Sequence, residues 1–170
     1  MIISLIGFMA TGKTTIGKQL SDKLGYEFID LDQYIEKLTK ISVKQIFKEK
    51  GETHFRTLEK KLLKKVLDQY NELVISPGGG IILDQENIDL LKEKTTPFLL
   101  KAKPENILNR IDELSKRPLI DTKNPKMTIE KLLDKRKEYY NQFNNIIITD
   151  NKKIDDIVYE ILNLLENLSW

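Results

Sequence analysis

Apolar residues in this 170-residue chain fall into short continuous runs, separated by longer stretches where they recur every three or four positions. The runs "MIISLI", "YEFIDL", "ELVIS", "TPFLLKA" and "NIIITD" have strand length, and "ELVIS" reads as a buried-type strand. Between them, "KTTIGKQLSDKLG", "ETHFRTLEKKLLKKVLDQY", "DQENIDLLKEK", "PENILNRIDELSK", "TIEKLLDKRKEYYNQF" and "IDDIVYEILNLLENL" carry helical spacing. Pro104 opens one of these helices, and glycine ends the first. The segment "DQYIEKLTKISVKQIFKEKG" reads as two short helices, with Ser42 the N-cap of the second. Strands alternating with helices predict an α/β fold: a parallel sheet covered on both faces. With no internal repeat, low-complexity stretch or linker, residues 1–170 are expected to form a single domain.

Composition narrows the function classes. Hydrophobic residues make up 40% and charged residues 32% of the chain, as in a soluble globular protein. A net charge of +2 is too small to suggest a nucleic-acid or membrane-surface partner. The absence of cysteine removes disulfides and thiolate metal sites, which suits a cytoplasmic protein. No apolar run approaches the roughly 20 residues of a membrane span, and "MIISLIG" is too short for a signal peptide. A monomer is expected. Only four of the 28 basic residues are arginine: Arg56, Arg110, Arg117 and Arg136. A guanidinium grips carboxylate or phosphate with a planar fork that lysine lacks, so a lysine-rich chain that keeps few arginines directs attention to each.

The most specific motif is "GFMATGKT", Gly7 to Thr14, between the first strand and first helix. It matches G-x-x-x-x-G-K-[ST]. Backbone N–H groups of such a loop curl around a phosphate, and the helix N-terminus adds partial positive charge. Lys13 then reaches the outer phosphates and Thr14 offers its hydroxyl to Mg²⁺. The chain is too short for most motor or transporter ATPases with this loop and lacks the guanine-reading motif expected of a GTPase, and a compact P-loop domain with a mobile basic loop suggests a small-molecule kinase. A second stretch, "FIDLDQYIE", sets Asp30 and Asp32 two residues apart after an apolar run. If the strand extends that far, both carboxylates face one side. Two aspartates here would equally cap the following helix.

Together the motifs form a pattern. The pieces "GFMATGKTT", "FIDLDQYIE", "ISVKQIFKEKGETHFRTLE", "PGGG", "KRPLI" and "LLDKRKEYY" occur in this order, and the sequence resembles shikimate kinase over essentially its whole length. The resemblance implies ATP-dependent phosphorylation of the 3-hydroxyl of shikimate, en route to aromatic amino acids. It also implies a three-layer α/β/α fold like that of nucleoside monophosphate kinases, with a five-stranded parallel sheet. A helical substrate-binding region would occupy about residues 31–60, and a mobile lid about residues 112–125. Carried over residue by residue, Asp30 faces Mg²⁺ alongside Thr14, while Asp32 binds the attacking hydroxyl. Arg56 and Arg136 grip the substrate carboxylate beside Gly78, Gly79 and Gly80, and Glu59 holds Arg56 one helical turn away. The nucleotide contacts are Gly7, Ala10, Thr11, Gly12, Lys13, Thr14 and Thr15, with Arg110 and Lys152 near the adenine. Arg117, on the lid, swings over the phosphates; the catalytic set is Asp32, Lys13 and Arg117.

The chain departs from the family at Ala10, where glycine is usual; a backbone with positive φ there would make alanine cost about 1 kcal/mol. The adenine-side segment "TDNKKIDD" has lysines where arginine is common. His54, the sole histidine, is read as a surface residue. Two alternatives remain: a related kinase for another sugar acid such as gluconate, and a silent nucleotide-binding regulatory domain.

Overall fold

The computed structural model describes residues 1–111 and 120–168. Five strands form one sheet: β1 (Ile2–Gly7), β2 (Glu27–Asp30), β3 (Leu73–Ser76), β4 (Thr96–Lys101) and β5 (Asn145–Ile148). The order is β2-β3-β1-β4-β5 and every pairing is parallel. Strand β1 is central, with Ser4 opposite Ile75 of β3 and Pro97 of β4. The chain moves from β1 to β2 on one side and later to β4 on the other. The loop after β1 therefore lies where strand order reverses, the usual ligand crevice of an open parallel sheet.

Among the described residues seven α-helices lie between the strands and an eighth follows the last: α1 (Lys13–Leu24), α2 (Leu31–Thr39), α3 (Val43–Gln69), α4 (Gln85–Lys94), α5 (Pro104–Asn109), α6 (Pro125–Lys135), α7 (Lys137–Tyr140) and α8 (Ile154–Leu168). Period-two alternation splits each strand between two cores. Ile3 and Leu5 of β1 pack with Ile16 and Leu20 of α1 and Val158 and Ile161 of α8. Ile6 faces the opposite core, with Ile35 of α2, Leu63 and Val66 of α3 and Tyr140 of α7. A third cluster, Phe8, Ile107, Ile120 and Ile129, packs beside the loop after β1.

The predicted strands are present, and the predicted helices are present with two revisions. The two-helix reading of residues 32–51 holds, and Ser42 Oγ accepts from Gln45 N. The second piece runs on into the next helix, bending at Gly51, whose φ is 81°. The helix expected across residues 128–143 begins at Pro125 and breaks at Arg136, whose φ of −99° and ψ of 0° end α6 and start α7. The helix opened by Pro104 runs to Asn109, and the remainder of that expectation lies in residues 112–119, outside the described residues.

Candidate active site

The loop between β1 and α1 is held from within. Thr11 Oγ1 donates to Phe8 O at 2.8 Å, and Lys13 Nζ donates to the carbonyls of Gly7 and Phe8 at 2.9 and 2.8 Å. Ala10 has φ 58°, so the conformation that would favour glycine is adopted by alanine. Gly12, at φ 96°, brings the chain into α1 with no side-chain cap on the helix N-terminus. The first amides of α1 thus point into the crevice together with the loop's N–H groups.

Asp30 uses its two carboxylate oxygens differently. Oδ1 accepts from Gln33 N at 3.2 Å and caps α2, while Oδ2 accepts from Thr14 Oγ1 at 2.6 Å. The cap turns the chain helical directly after Asp30. Asp32 therefore sits in the first turn of α2, and the strand-alternation argument for the pair does not hold. The two carboxylates still converge. Burial pushes the Asp32 carboxyl above its usual range, the Asp30 charge adds to the rise, and Lys13 and Arg56 act against it. Asp32 Oδ1 is buried with no hydrogen-bond partner among the described residues.

Opposite α2, the turn after β3 brings three glycines against charged side chains. A Cβ at Gly78 would lie 2.5 Å from Glu59 Oε1 and 2.7 Å from Asp32 Oδ1, and one at Gly80 would lie 2.4 Å from Arg56 Nη2. Only a residue without Cβ permits these approaches. Arg56, on α3, donates through Nη1 to Glu59 Oε2 at 2.7 Å and through Nη2 to Glu52 at 3.1 Å. Its guanidinium lies 5.1 Å from the Phe55 ring centre and 5.8 Å from that of Phe47. Glu59, 0% exposed, is the partner its i, i+3 spacing suggested. Arg136, at the α6–α7 break, is 4% exposed. It donates to Gly79 O at 3.0 Å, and its guanidinium lies 5.2 Å from the Phe8 ring centre.

Three cavities follow one another along the crevice. The first, about 480 Å³, is lined by Asp32, Phe47, Phe55, Arg56, Gly79 and Arg136 among others. The second, about 340 Å³, is lined by Gly12, Lys13, Thr14, Thr15, Asp30 and Asp32 among others. The third, about 330 Å³, has Ala10, Thr11, Thr15, Arg110, Thr149 and Lys152 in its wall. Arg110 is fixed there by Thr149, donating to Oγ1 at 2.9 Å and to the carbonyl at 2.8 Å. Lys152 Nζ reaches Glu160 at 2.5 Å. The sequence-predicted residues are thus gathered into one crevice, with two exceptions: Gly7 lines none of the three cavities and instead accepts from Lys13 through its carbonyl, and Arg117 lies outside the described residues, as do residues 112–119 of the expected lid. His54 is exposed on α3. Sequence reasoning missed the Phe8 ring beneath Arg136 and the Thr149 anchor of Arg110. Both are contacts between distant segments with no local spacing signal.

A phosphate loop at the switch point of a five-stranded parallel sheet, with helices on both faces, defines a P-loop kinase of the nucleoside monophosphate kinase type. The shikimate kinase family profile matches residues 9–166. The chain belongs to the shikimate kinase family. It is 40% identical over 169 residues to the shikimate kinase of Dictyoglomus turgidum, covering 97% of each chain. It is 43% identical over 160 residues to that of Persephonella marina, covering 94% of this chain and 96% of the other. The solved shikimate kinase of Acinetobacter baumannii in complex with shikimate superposes with a TM-score of 0.93 at 34% identity, covering 98% of this chain and 93% of that one.

Proposed function

We propose that the crevice transfers the γ-phosphoryl group of ATP to the 3-hydroxyl of shikimate, giving shikimate 3-phosphate and ADP. One observation carries the reading. Asp32 is a wall shared by the phosphate-loop cavity and the two-arginine cavity. A hydroxyl bound at this carboxylate is positioned between carboxylate recognition on one side and a terminal phosphate on the other, the arrangement that in-line transfer requires.

The assigned roles follow from chemistry. Arg56 and Arg136 fork the substrate carboxylate, and the glycine turn lets backbone reach the ring. Asp32 orients the attacking hydroxyl and takes its proton as the new P–O bond forms and the β,γ-bridge breaks. Lys13 and the loop amides hold the transferring and leaving phosphates. Arg110 and Lys152 border the adenine, and Arg117 is assigned to the lid. Mg²⁺ fits the residues present: the Thr14 hydroxyl and Asp30 carboxylate, already bonded to each other, are hard oxygen donors. No cluster of three or more His, Cys, Asp or Glu exists among the described residues, and magnesium shared with substrate phosphates needs none. Bound there, it neutralises phosphate charge. The enzyme is assigned to the cytoplasm as a monomeric single-domain protein; no helix among the described residues is long and apolar enough to cross a membrane.

A substrate panel is the test. Protein with ATP and Mg²⁺ releases ADP when shikimate is added and not when gluconate is added. Equal turnover with gluconate favours the sugar-acid alternative, and no turnover with either favours a silent nucleotide-binding domain.

A further inference from the structure

A fourth cavity, of about 310 Å³, lies beside the crevice and shares the Thr11 wall with the third of its cavities. Its body is apolar, built from Phe8, Leu99, Leu100, Ala102, Ile107 and Leu133. Its remaining wall is polar, with Thr11, Lys101, Asp134, Lys137, Tyr140 and Asn141. Tyr140 is 6% exposed, and its hydroxyl has no hydrogen-bond partner among the described residues. Burial pushes that phenol up, and the nearby Arg136 guanidinium works against the rise. A buried hydroxyl without a partner, in the wall of a cavity large enough for a small ligand, is a group for which a partner is expected.

Strand β5, paired with the cavity-lining strand β4, extends this picture. Ile146 and Ile148 of β5 pair in register with Leu99 and Lys101, so they share the sheet face that the cavity occupies. They are 43% and 45% exposed, an apolar shelf on the edge strand. Charge selects the polar end of the occupant. Two lysines face one aspartate in the wall, and none of the three has an ion-pair partner among the described residues.

We propose that this cavity is a second ligand site, for a small carboxylate carrying one apolar ring. The ring lies between Phe8, Leu100 and Leu133, and the carboxylate lies toward Lys101 and Lys137 with the Tyr140 hydroxyl donating to the ligand. The occupant touches Phe8, the ring on which the Arg136 guanidinium rests at 5.2 Å, so the site adjoins the substrate cavity without sharing its arginines.

Phenylacetate is the probe, titrated calorimetrically into the full-length enzyme at increasing shikimate concentrations. A carboxylate held by Arg56 and Arg136 is displaced in proportion to added shikimate; one in the second site keeps a finite affinity with one-to-one stoichiometry at shikimate saturation. The Lys101→Gln, Lys137→Gln double variant is expected to weaken phenylacetate by about tenfold, the scale of one partly exposed charge-assisted bond. Ala102→Leu fills the cavity and is expected to abolish binding. ADP release with shikimate verifies that each variant is folded, and the lysine pair decides the matter if Ala102→Leu is not. Three results would each overturn the proposal: phenylacetate titrating away fully as shikimate rises, benzyl alcohol binding as tightly as phenylacetate, or the double lysine variant binding phenylacetate unchanged.

Discussion

Glu59 makes the stability of this protein depend on pH in a direction opposite to most carboxylates. Its side chain is fully buried, and desolvation raises its pKa from 4.5 to about 7, although the charge and hydrogen bond of Arg56 pull it down. The two members of the pair shift unequally. For Arg56, interaction with Glu59 and Glu52 outweighs burial and keeps the guanidinium charged, so the proton that moves belongs to Glu59. Unfolded, this carboxyl releases its proton near 4.5; folded, near 7. Between those values the native state binds more protons than the unfolded state, so stability is lost as pH rises through the window. At 1.36 kcal/mol per unit, the loss between pH 5 and 8 is about 2–3 kcal/mol. Glu59→Gln retains an acceptor for Arg56 Nη1, and its amide N–H can donate toward Asp32 Oδ1, which otherwise lacks a partner. The variant therefore matches the parent near pH 5 and exceeds it by about 2 kcal/mol at pH 8. Urea unfolding of both proteins at pH 5, 6, 7 and 8 measures the difference, and groups common to both cancel to first order. Stability curves that stay parallel across the range would refute the account of a buried, reluctantly ionised Glu59.

Two further substitutions test close approaches and strain. Gly80→Ala sets a Cβ 2.4 Å from an Arg56 guanidinium already bonded to Glu59 and Glu52, whereas Gly79→Ala meets nothing nearer than Met9 N at 3.4 Å. Steady-state kinetics should show KM for shikimate rising about tenfold or more with Gly80→Ala, a smaller change with Gly79→Ala and ATP KM unaffected by either; equal effects at the two positions would contradict the geometry. Ala10→Gly relieves a φ of 58° worth about 1 kcal/mol but adds unfolded-state freedom of similar size, so denaturation midpoints should nearly coincide. A destabilisation approaching about 1 kcal/mol, the full unfolded-state cost with no strain to offset it, would show that alanine is not strained there.

The elements were legible wherever local chemistry decided them. Five apolar runs became five strands of one parallel sheet, with the edge strands β2 and β5 less buried than the three between them, and Ser42 capped α3 through a bond only three residues along the chain. The misreadings have tertiary causes. Nothing in "LLDKRKEYY" breaks a helix by propensity; the break at Arg136 coincides with its guanidinium bonding to Gly79 O, 57 residues away, and lying over Phe8. Asp32 left the strand pattern because Asp30 caps the next helix. The spacing of Arg56 and Glu59 announced their contact, but "TLEKKLLKK" cannot reveal that this one glutamate among lysines faces inward with 0% exposure.

The scarcity of arginine acquires a physical reason from how the described ones are held. Arg56 is bonded to Glu59 and Glu52, Arg110 to Thr149, and Arg136 to Gly79 O above an aromatic face. Each guanidinium has five N–H donors, so it can be anchored by some and still present others to a ligand. A lysine ammonium engaged in the same way is a single compact point, and orienting it fixes no plane. Anchoring in advance removes rotamer freedom before the ligand arrives, which lowers the entropy lost on binding. The chain can use lysine across its solvated helices, where only charge matters, and its described arginines sit where a planar guanidinium is anchored to the protein and its orientation is fixed.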